Sequence, residues 1–386
     1  MDKQATVALL RSYIDYLLEN SSAEAPAWNI EMIRSGKPNK WNYIDGCMIT
    51  AVLALHRITG EDKYLAFADS FMGWFVQEDG SIKTYDKEEY NLDNINPAKN
   101  LFRLYALTGK EKYRRAMDTV RSQLSTMPRT KAGNFWHKKI YPHQVWLDGL
   151  YMAQPFYMEY ETRFNNMHGC VDSFAQFCNV QQLMQNKTTG LYYHGYDESR
   201  SMYWANKTTG LSANCWLRAE GWFLMALVDT IEAMDEQMYY ELRTLQSMLR
   251  SLADALARWQ DESGMFYQII DQPQANGNYL ETSGTAIIAY ALLKAVRLHL
   301  LPESYRAMGE KAFYGTANKY LSVQADGTPY LGGICLVAGL GGAQRRDGSL
   351  AYYFSEPVVE NEAKGVAPML LACTEILAAQ INKREK

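Results

Sequence analysis

The sequence predicts an all-α fold in which six helix hairpins close into a toroid, with an inner and an outer ring of helices. Two recurring phrases carry this expectation. TGEDKY at Thr59–Tyr64 returns as TGKEKY at Thr108–Tyr113, each time between two apolar helical stretches. A glycine-led aromatic phrase also recurs: GSIK from Gly80, GNFWH from Gly133, GLYYH from Gly190, GMFYQ from Gly264 and GTPYL from Gly327. Fixed phrases returning at intervals of tens of residues are the mark of a fold built from repeated supersecondary units.

The Thr-Gly phrase reads as the turn of a helix hairpin. Glycine takes the left-handed conformation that ends the first helix, and the acidic residues after it favour the N-terminus of the second. The glycine-led phrase reads as a short extended loop, because its aromatics alternate in the only strand-like pattern of the chain. After each such loop a new helix begins, often at a small or acidic residue followed by glycine. With the N-terminal unit included, the entrances fall at Asp45-Gly46, Asp93 to Asn96, Asp148-Gly149, Glu220-Gly221, Ser283-Gly284 and Lys364-Gly365. Units of about 50 to 80 residues suit two helices and a variable loop. Before them, MDKQATVALLRSYIDYLLENSS is an amphipathic helix with acids along it rather than a signal peptide.

Composition narrows the function. The 386 residues carry no Gly/Ser linker, charge block or low-complexity segment, so residues 1–386 are expected to form a single domain. A net charge of −4 gives no reason to expect nucleic acid or an anionic membrane as partner. Six cysteines without a CxxC pair, together with six scattered histidines, form no zinc pattern; neither a metal nor another cofactor is expected. The thiols fit a reducing compartment, and the expectation is a cytoplasmic protein, monomer or homodimer. Aromatic residues are abundant (Trp 9, Tyr 27, Phe 13), as suits a cleft for a small oligosaccharide.

In the predicted toroid the loops entering the inner helices converge on one rim. GNFWHKKIYPHQVWLDGLYM, from Gly133 to Met152, is the densest of them. Pro142 breaks it, so a loop should deliver Asp148 at a helix entrance. A carboxyl among Trp146, Leu147 and Tyr151 is expected to have a raised pKa, as a proton donor near neutrality needs. The plainer role for Asp148 is a helix cap. Asp93, His137, His194, Trp216 and Arg218 lie on the same kind of loop, which favours Asp148 as the catalytic residue. Asp93 could bond sugar hydroxyls or simply close an Asx-turn in NLDN. His137 and His194 occupy one repeat position, with Gln268 at the next. Arg218 suits a carboxylate through its planar donor fork, or else an ion pair with Glu220 or another acid on the rim. Trp216 and Trp222 could stack on sugar faces, with Trp222 one turn into its helix and open to a core role. Tyr43 and Trp146 complete the candidate substrate-binding rim. Lys138 is a competing cation, and the RRDGS segment from Arg345 to Ser349 is either a loop over the rim or a brace for the last repeat.

WLDGLYMAQPF, the preceding FWHKKIYPHQ, WLRAEGW from Trp216 and the closing AGLGGAQRRDGSLAYYFSEPVVENEAKGVAP together resemble the unsaturated rhamnogalacturonyl hydrolases of glycoside hydrolase family 105. Their relatives are the unsaturated glucuronyl hydrolases of family 88. The likeness runs from about Trp41 to the last helix. It implies an (α/α)6 barrel, no metal, and a catalytic aspartate in WLDG, here Asp148. Asp93, His137, His194, Trp216, Arg218 and Trp222 also match the family pattern. The implied substrate carries a 4,5-unsaturated uronic acid at its non-reducing end. Protonation of C4 in that vinyl ether, then addition of water at C5, gives a hemiketal whose opening releases the sugar. One carboxyl can serve both steps, so the usual spacing of two carboxylates does not apply. Alternatives are a glucuronyl hydrolase of glycosaminoglycan-type disaccharides, a sugar epimerase using His137 and His194, and a non-catalytic sugar-binding protein.

Overall fold

A computed structural model describes residues 3–384 of the chain. Six inner helices run Tyr43–Thr59, Lys99–Thr108, Leu147–Phe164, Leu217–Ala233, Thr282–Arg297 and Ala363–Arg384. Each of the first five is followed by an outer helix: Asp62–Phe75, Glu111–Thr126, Cys170–Met184, Tyr239–Ala257 and Ser304–Tyr320. The N-terminal helix Lys3–Glu19 packs against Ala363–Arg384 and Ser304–Tyr320, supplying the sixth outer position. Ala363–Arg384 also packs on Tyr43–Thr59, which closes the ring. The six-hairpin barrel is the fold expected from the repeats.

The local reasons match the sequence. Gly60 and Gly109 sit at φ 71° and 66° and cap the helices before them, so the two Thr-Gly phrases are the left-handed turns anticipated. Burial of the inner helices is deepest in Thr282–Arg297, where every residue from Thr282 to Val296 is buried, and least in Lys99–Thr108, where Asn100, Leu101, Phe102 and Leu104 are. A helix walled on all sides by other helices has no room for a polar stripe. One apolar cluster extends from Val7 to Ile376 and includes residues of every inner helix.

A single hydrogen bond recurs at the entrances. The N–H of Leu92, Leu147, Leu217, Thr282 and Ala363 donates to the carbonyl of His137, His194, Gln268, Gly333 and Trp28 respectively. The next residue in each case is Asp93, Asp148, Arg218, Ser283 or Lys364, so these five side chains occupy one repeat position. The entrance expected at Glu220-Gly221 is therefore corrected by two residues, to Arg218-Ala219. The glycines that follow are a packing need. A Cβ on Gly149 would lie 3.0 Å from His137 Nδ1, and one on Gly284 would lie 2.4 Å from Leu217 Cγ. Each neighbouring unit is drawn in that closely.

Strands are few: Gln144–Trp146 pairs with Gly195–Asp197, Leu321–Val323 with Pro329–Leu331, and Ile334–Cys335 with Val358–Val359, all antiparallel. The first pair ties the loop before Asp148 to the loop after His194. No described helix is long and apolar enough to cross a membrane. Because the ring is closed by its two terminal helices, we propose that the chain unfolds as one unit. Calorimetry should give one transition with equal calorimetric and van't Hoff enthalpies; two stable fragments from limited proteolysis would contradict it.

Candidate functional site

Asp148 is the second residue of the helix Leu147–Phe164. It makes no cap hydrogen bond; Trp146 is the capping residue and also makes none through its side chain. Its side chain, 14% exposed, has His194 Nε2 3.3 Å from Oδ2. The two atoms are close, yet neither has an aligned hydrogen bond in the protein. On the far side of that ring, His194 Nδ1 lies 2.6 Å from the Tyr353 hydroxyl. Burial pushes the Tyr353 phenol well above its ordinary pKa, so it keeps its proton. A hydroxyl donating to Nδ1 leaves the ring proton on Nε2, facing the Asp148 carboxylate.

The expectation of a raised pKa for Asp148 is overturned. Burial does push it up, but the contact with His194 and the field of His137 outweigh burial and hold it below the ordinary carboxylate value. The local sequence showed the apolar neighbours and not the two imidazoles, which arrive from other loops. His137 itself is lowered to about 4, chiefly by burial, and is neutral at pH 7. Trp146 lies parallel to it, with ring centroids 4.5 Å apart. His137 Nε2 is 3.7 Å from Asp93 Oδ1, and Lys138 Nζ is 2.5 Å from Asp93 Oδ2. Asp93 is therefore an ion-pair partner, and the turn in NLDN is closed by Asn91, whose side chain accepts from the Asp93 N–H. Lys138 is not a free surface charge; its side chain is 21% exposed and turned onto the rim.

Arg218 is 2% exposed and stands over the Trp216 ring at 4.8 Å. Both of its recorded hydrogen bonds leave from Nη1, to Ser283 Oγ at 3.0 Å and to the Cys335 carbonyl at 2.5 Å. Among the described residues no carboxylate lies within 4.0 Å of it. The Glu220 pairing is thereby excluded: Glu220 turns the other way to accept the Tyr192 N–H, and burial pushes its carboxyl well above the usual range. Tyr43 is half-buried on the same rim, its hydroxyl raised by burial first and then by the charges of Glu31 and Asp93.

The tryptophans are corrected. Trp222 is 2% exposed and stacks on Tyr151 at 4.7 Å below the rim. Trp216 is 1% exposed under Arg218 and beside Tyr353, and its Nε1 donates to Gln268 Oε1 at 3.1 Å. Both are too buried to offer a ring face at the rim; Trp216 supports Arg218 there, and Trp222 packs on Tyr151 beneath it. Trp146, 6% exposed, holds His137 in the same way. Gln268 completes the repeat position of the two histidines but is buried against Trp216. Two residues escaped the sequence reading. Tyr353 comes from the short helix Leu350–Ser355 after RRDGS, where only the tyrosine pair marked it. Lys364 holds the repeat position of Asp148 and is buried between Glu31 and Glu362. The RRDGS segment is a brace: its Gly348 carbonyl accepts from Asn214, and Arg346 reaches Glu356 at 3.5 Å.

The family model described as Glycosyl Hydrolase Family 88 matches residues 20–380. A solved glycoside hydrolase from family 105 of C. acetobutylicum ATCC 824 superposes with a TM-score of 0.88 at 42% identity, covering 96% of this chain and 98% of that one. The chain belongs to the glycoside hydrolases of families 88 and 105. It is also 41% identical over 233 residues to Protein Atu3128 of Agrobacterium fabrum, covering 58% of this chain and 98% of that protein. Over 265 residues it is 26% identical to the unsaturated rhamnogalacturonyl hydrolase YesR of Bacillus subtilis, covering 67% of this chain and 72% of that one.

In this glycoside hydrolase His194 and Asp148 form a coupled pair, and the sign of the coupling can be tested. His194→Gln removes the ring that holds the Asp148 pKa down and leaves burial to raise it. The limb of the kcat/KM pH profile that belongs to Asp148 should move to higher pH, whichever protonation state the reaction uses. An unmoved limb would assign that titration to another group.

Proposed function

We propose that this hydrolase removes a 4,5-unsaturated uronic acid from the non-reducing end of small rhamnogalacturonan oligosaccharides, with Asp148 as its acid and base. What carries the reading is a cluster of unsatisfied polar atoms. Asp148 Oδ2, His194 Nε2 and His137 Nδ1 are all buried without a hydrogen-bond partner in the protein. Buried polar atoms are normally paired; His137 Nδ1 lies against Gly149, whereas Asp148 Oδ2 and His194 Nε2, 3.3 Å apart, fit a polar ligand between them. Close by, Arg218 is a buried cation with no described carboxylate within 4.0 Å; Glu281 and Asp148 favour its charge from a distance, and direct pairing is left for a ligand to supply. A uronate does so.

Binding that anion beside Asp148 also opposes the effect of the histidines. A second negative charge favours the protonated carboxyl, so the substrate itself prepares the acid. The proton goes to C4 of the vinyl ether, and positive charge develops at C5 and the ring oxygen. Asp148, again a carboxylate, then takes a proton from the water that adds at C5. The hemiketal opens and the glycosidic bond is lost. Lys138, paired with Asp93, closes the side of the rim next to His137. The similarity to YesR supports the rhamnose-linked substrate.

Loss of the vinyl-ether absorbance tests the reaction. Unsaturated galacturonyl-rhamnose should be consumed faster than unsaturated glucuronyl-hexosamine; the reverse order would assign the second substrate class, and no loss with either would sink the reaction. Asp148→Asn preserves shape and removes the titrating proton, so turnover should fall at least about a hundredfold with binding retained. Near-normal turnover in the folded variant would remove Asp148 from its role.

Arg218→Ala should raise KM strongly and lower kcat/KM by about 2–5 kcal/mol, as for one partner lost from a buried pair. Arg218→Lys should recover only part, because an ammonium cannot make two parallel bonds. A small effect abolished by salt would move the uronate carboxylate to the more exposed Lys138.

A further inference from the structure

The mouth of the barrel opposite Asp148 opens into a cavity of about 670 Å³, lined from the C-terminal halves of the inner helices. Among the cations that line it is Lys99, the first residue of the helix Lys99–Thr108. Lys99 Nζ lies 3.9 Å from the centre of the Tyr151 ring and is bonded to its hydroxyl. Among the described residues no carboxylate lies within 4.0 Å of this amine.

The nearest acids are engaged elsewhere. Asp229 accepts from Lys294 at 2.6 Å and from Tyr290 at 3.1 Å, and Glu159 pairs with Arg163 at 2.8 Å. The charged and titratable groups that face Lys99 are Cys47, Asp229, Lys294 and Glu159, one from each of four inner helices. Burial is the largest influence and holds the amine below its ordinary value. One helical turn further out on the same face stands Arg103, with no recorded ion pair and depressed by burial and by Arg57. Three arginines line the cavity: Arg163 pairs with Glu159, Arg57 lies 3.7 Å from Glu375, and Arg103 has no carboxylate within 4.0 Å among the described residues. A desolvated amine with a hydroxyl beside it, in a cavity that also holds the unpaired Arg103 and, next to it, Arg57, is an arrangement for a carbonyl compound that also bears an acid.

We propose that this rear cavity binds a small oxo acid, held through its carbonyl carbon by Lys99 as a reversible imine and through its carboxylate by Arg103 and Arg57. The unprotonated amine attacks the carbonyl carbon to give a carbinolamine. A carbon–nitrogen double bond then forms as the former carbonyl oxygen leaves as water, carrying the two amine protons. The Tyr151 hydroxyl is placed to pass one of them. No oxidant or reductant is consumed. The open-chain uronic acid released by the reaction proposed above belongs to this ligand class, but the site stands on its own residues and its test uses no unsaturated sugar.

The native protein is treated with glyoxylate and cyanoborohydride, which fixes an imine as a stable amine, and the labelled lysines are mapped by mass spectrometry. Glycolaldehyde, a neutral aldehyde, serves as control. Lys99 should be labelled faster than the surface lysines, because burial in the cavity favours its free amine. Lys99→Arg should abolish that adduct and leave the remaining lysines labelled as before. Arg103→Gln should slow labelling of Lys99 by glyoxylate about fivefold, at the scale of one partly exposed charge pair, and leave glycolaldehyde labelling unchanged. Labelling of Lys99 no faster than the surface average in the native protein would overturn the site without recourse to any variant. Equal effects of Arg103→Gln on both probes would overturn the oxo acid as its ligand.

Discussion

One repeated hydrogen bond organises the Asp148 end of the barrel. In four units the first N–H of the inner helix (Leu147, Leu217, Thr282 or Ala363) donates to a carbonyl of a neighbouring unit's loop, and in a fifth Leu92 does so from the turn before Lys99–Thr108. This satisfies a donor that a helix start leaves open. The bond fixes the angle at which the helix enters the ring, and the side chain of the next residue is aimed at the axis. Five units use it, and the residues placed are Asp93, Asp148, Arg218, Ser283 and Lys364. A symmetric device thus gathers two acids, two cations and a hydroxyl at one rim. The loops that accept the helices also deliver His137 and His194, so scaffold and site are the same contacts.

Electrostatics then sort the equivalent positions. Lys364 is held by Glu31 and Glu362, Asp93 by Lys138, and Ser283 by Glu281 and Arg218. Asp148 faces only imidazole, and Arg218 faces no carboxylate within ion-pair range. Partners supplied within the protein already neutralise or bond the first three. Asp148 and Arg218 keep unsatisfied capacity, and that capacity is what a charged ligand meets.

The opposite mouth follows another logic. There Lys294, Asp229 and Glu232, and Arg297 with Glu375, neutralise one another at the ends of helices packed too closely to leave charges apart. Between the two ends, Tyr151 stacked on Trp222 separates the Asp148 rim from the rear cavity. The aromatic residue counted at first among the sugar-binding tryptophans is part of that partition.

The sequence by itself determined the helical class, the hairpin turns at Gly60 and Gly109, the repeat, and the rim on which Asp148, His137, His194 and Arg218 meet. These are local matters: turn chemistry, periodicity and the return of a phrase are written along the chain. What it could not separate is seen in WNYIDG and QVWLDG, two entrances that read almost alike. Asp45 accepts from Trp28 Nε1 at 2.9 Å, Asn39 Nδ2 at 2.7 Å and Asn42 Nδ2 at 2.9 Å, and is 3% exposed. Asp148 has none of these donors and looks onto His194. The same contrast set the direction of its pKa, the burial of Trp216 and Trp222, and the arrival of Tyr353 from more than two hundred residues away. Only tertiary structure decided them, because a carboxylate's role depends on which donors surround it, and those come from distant loops.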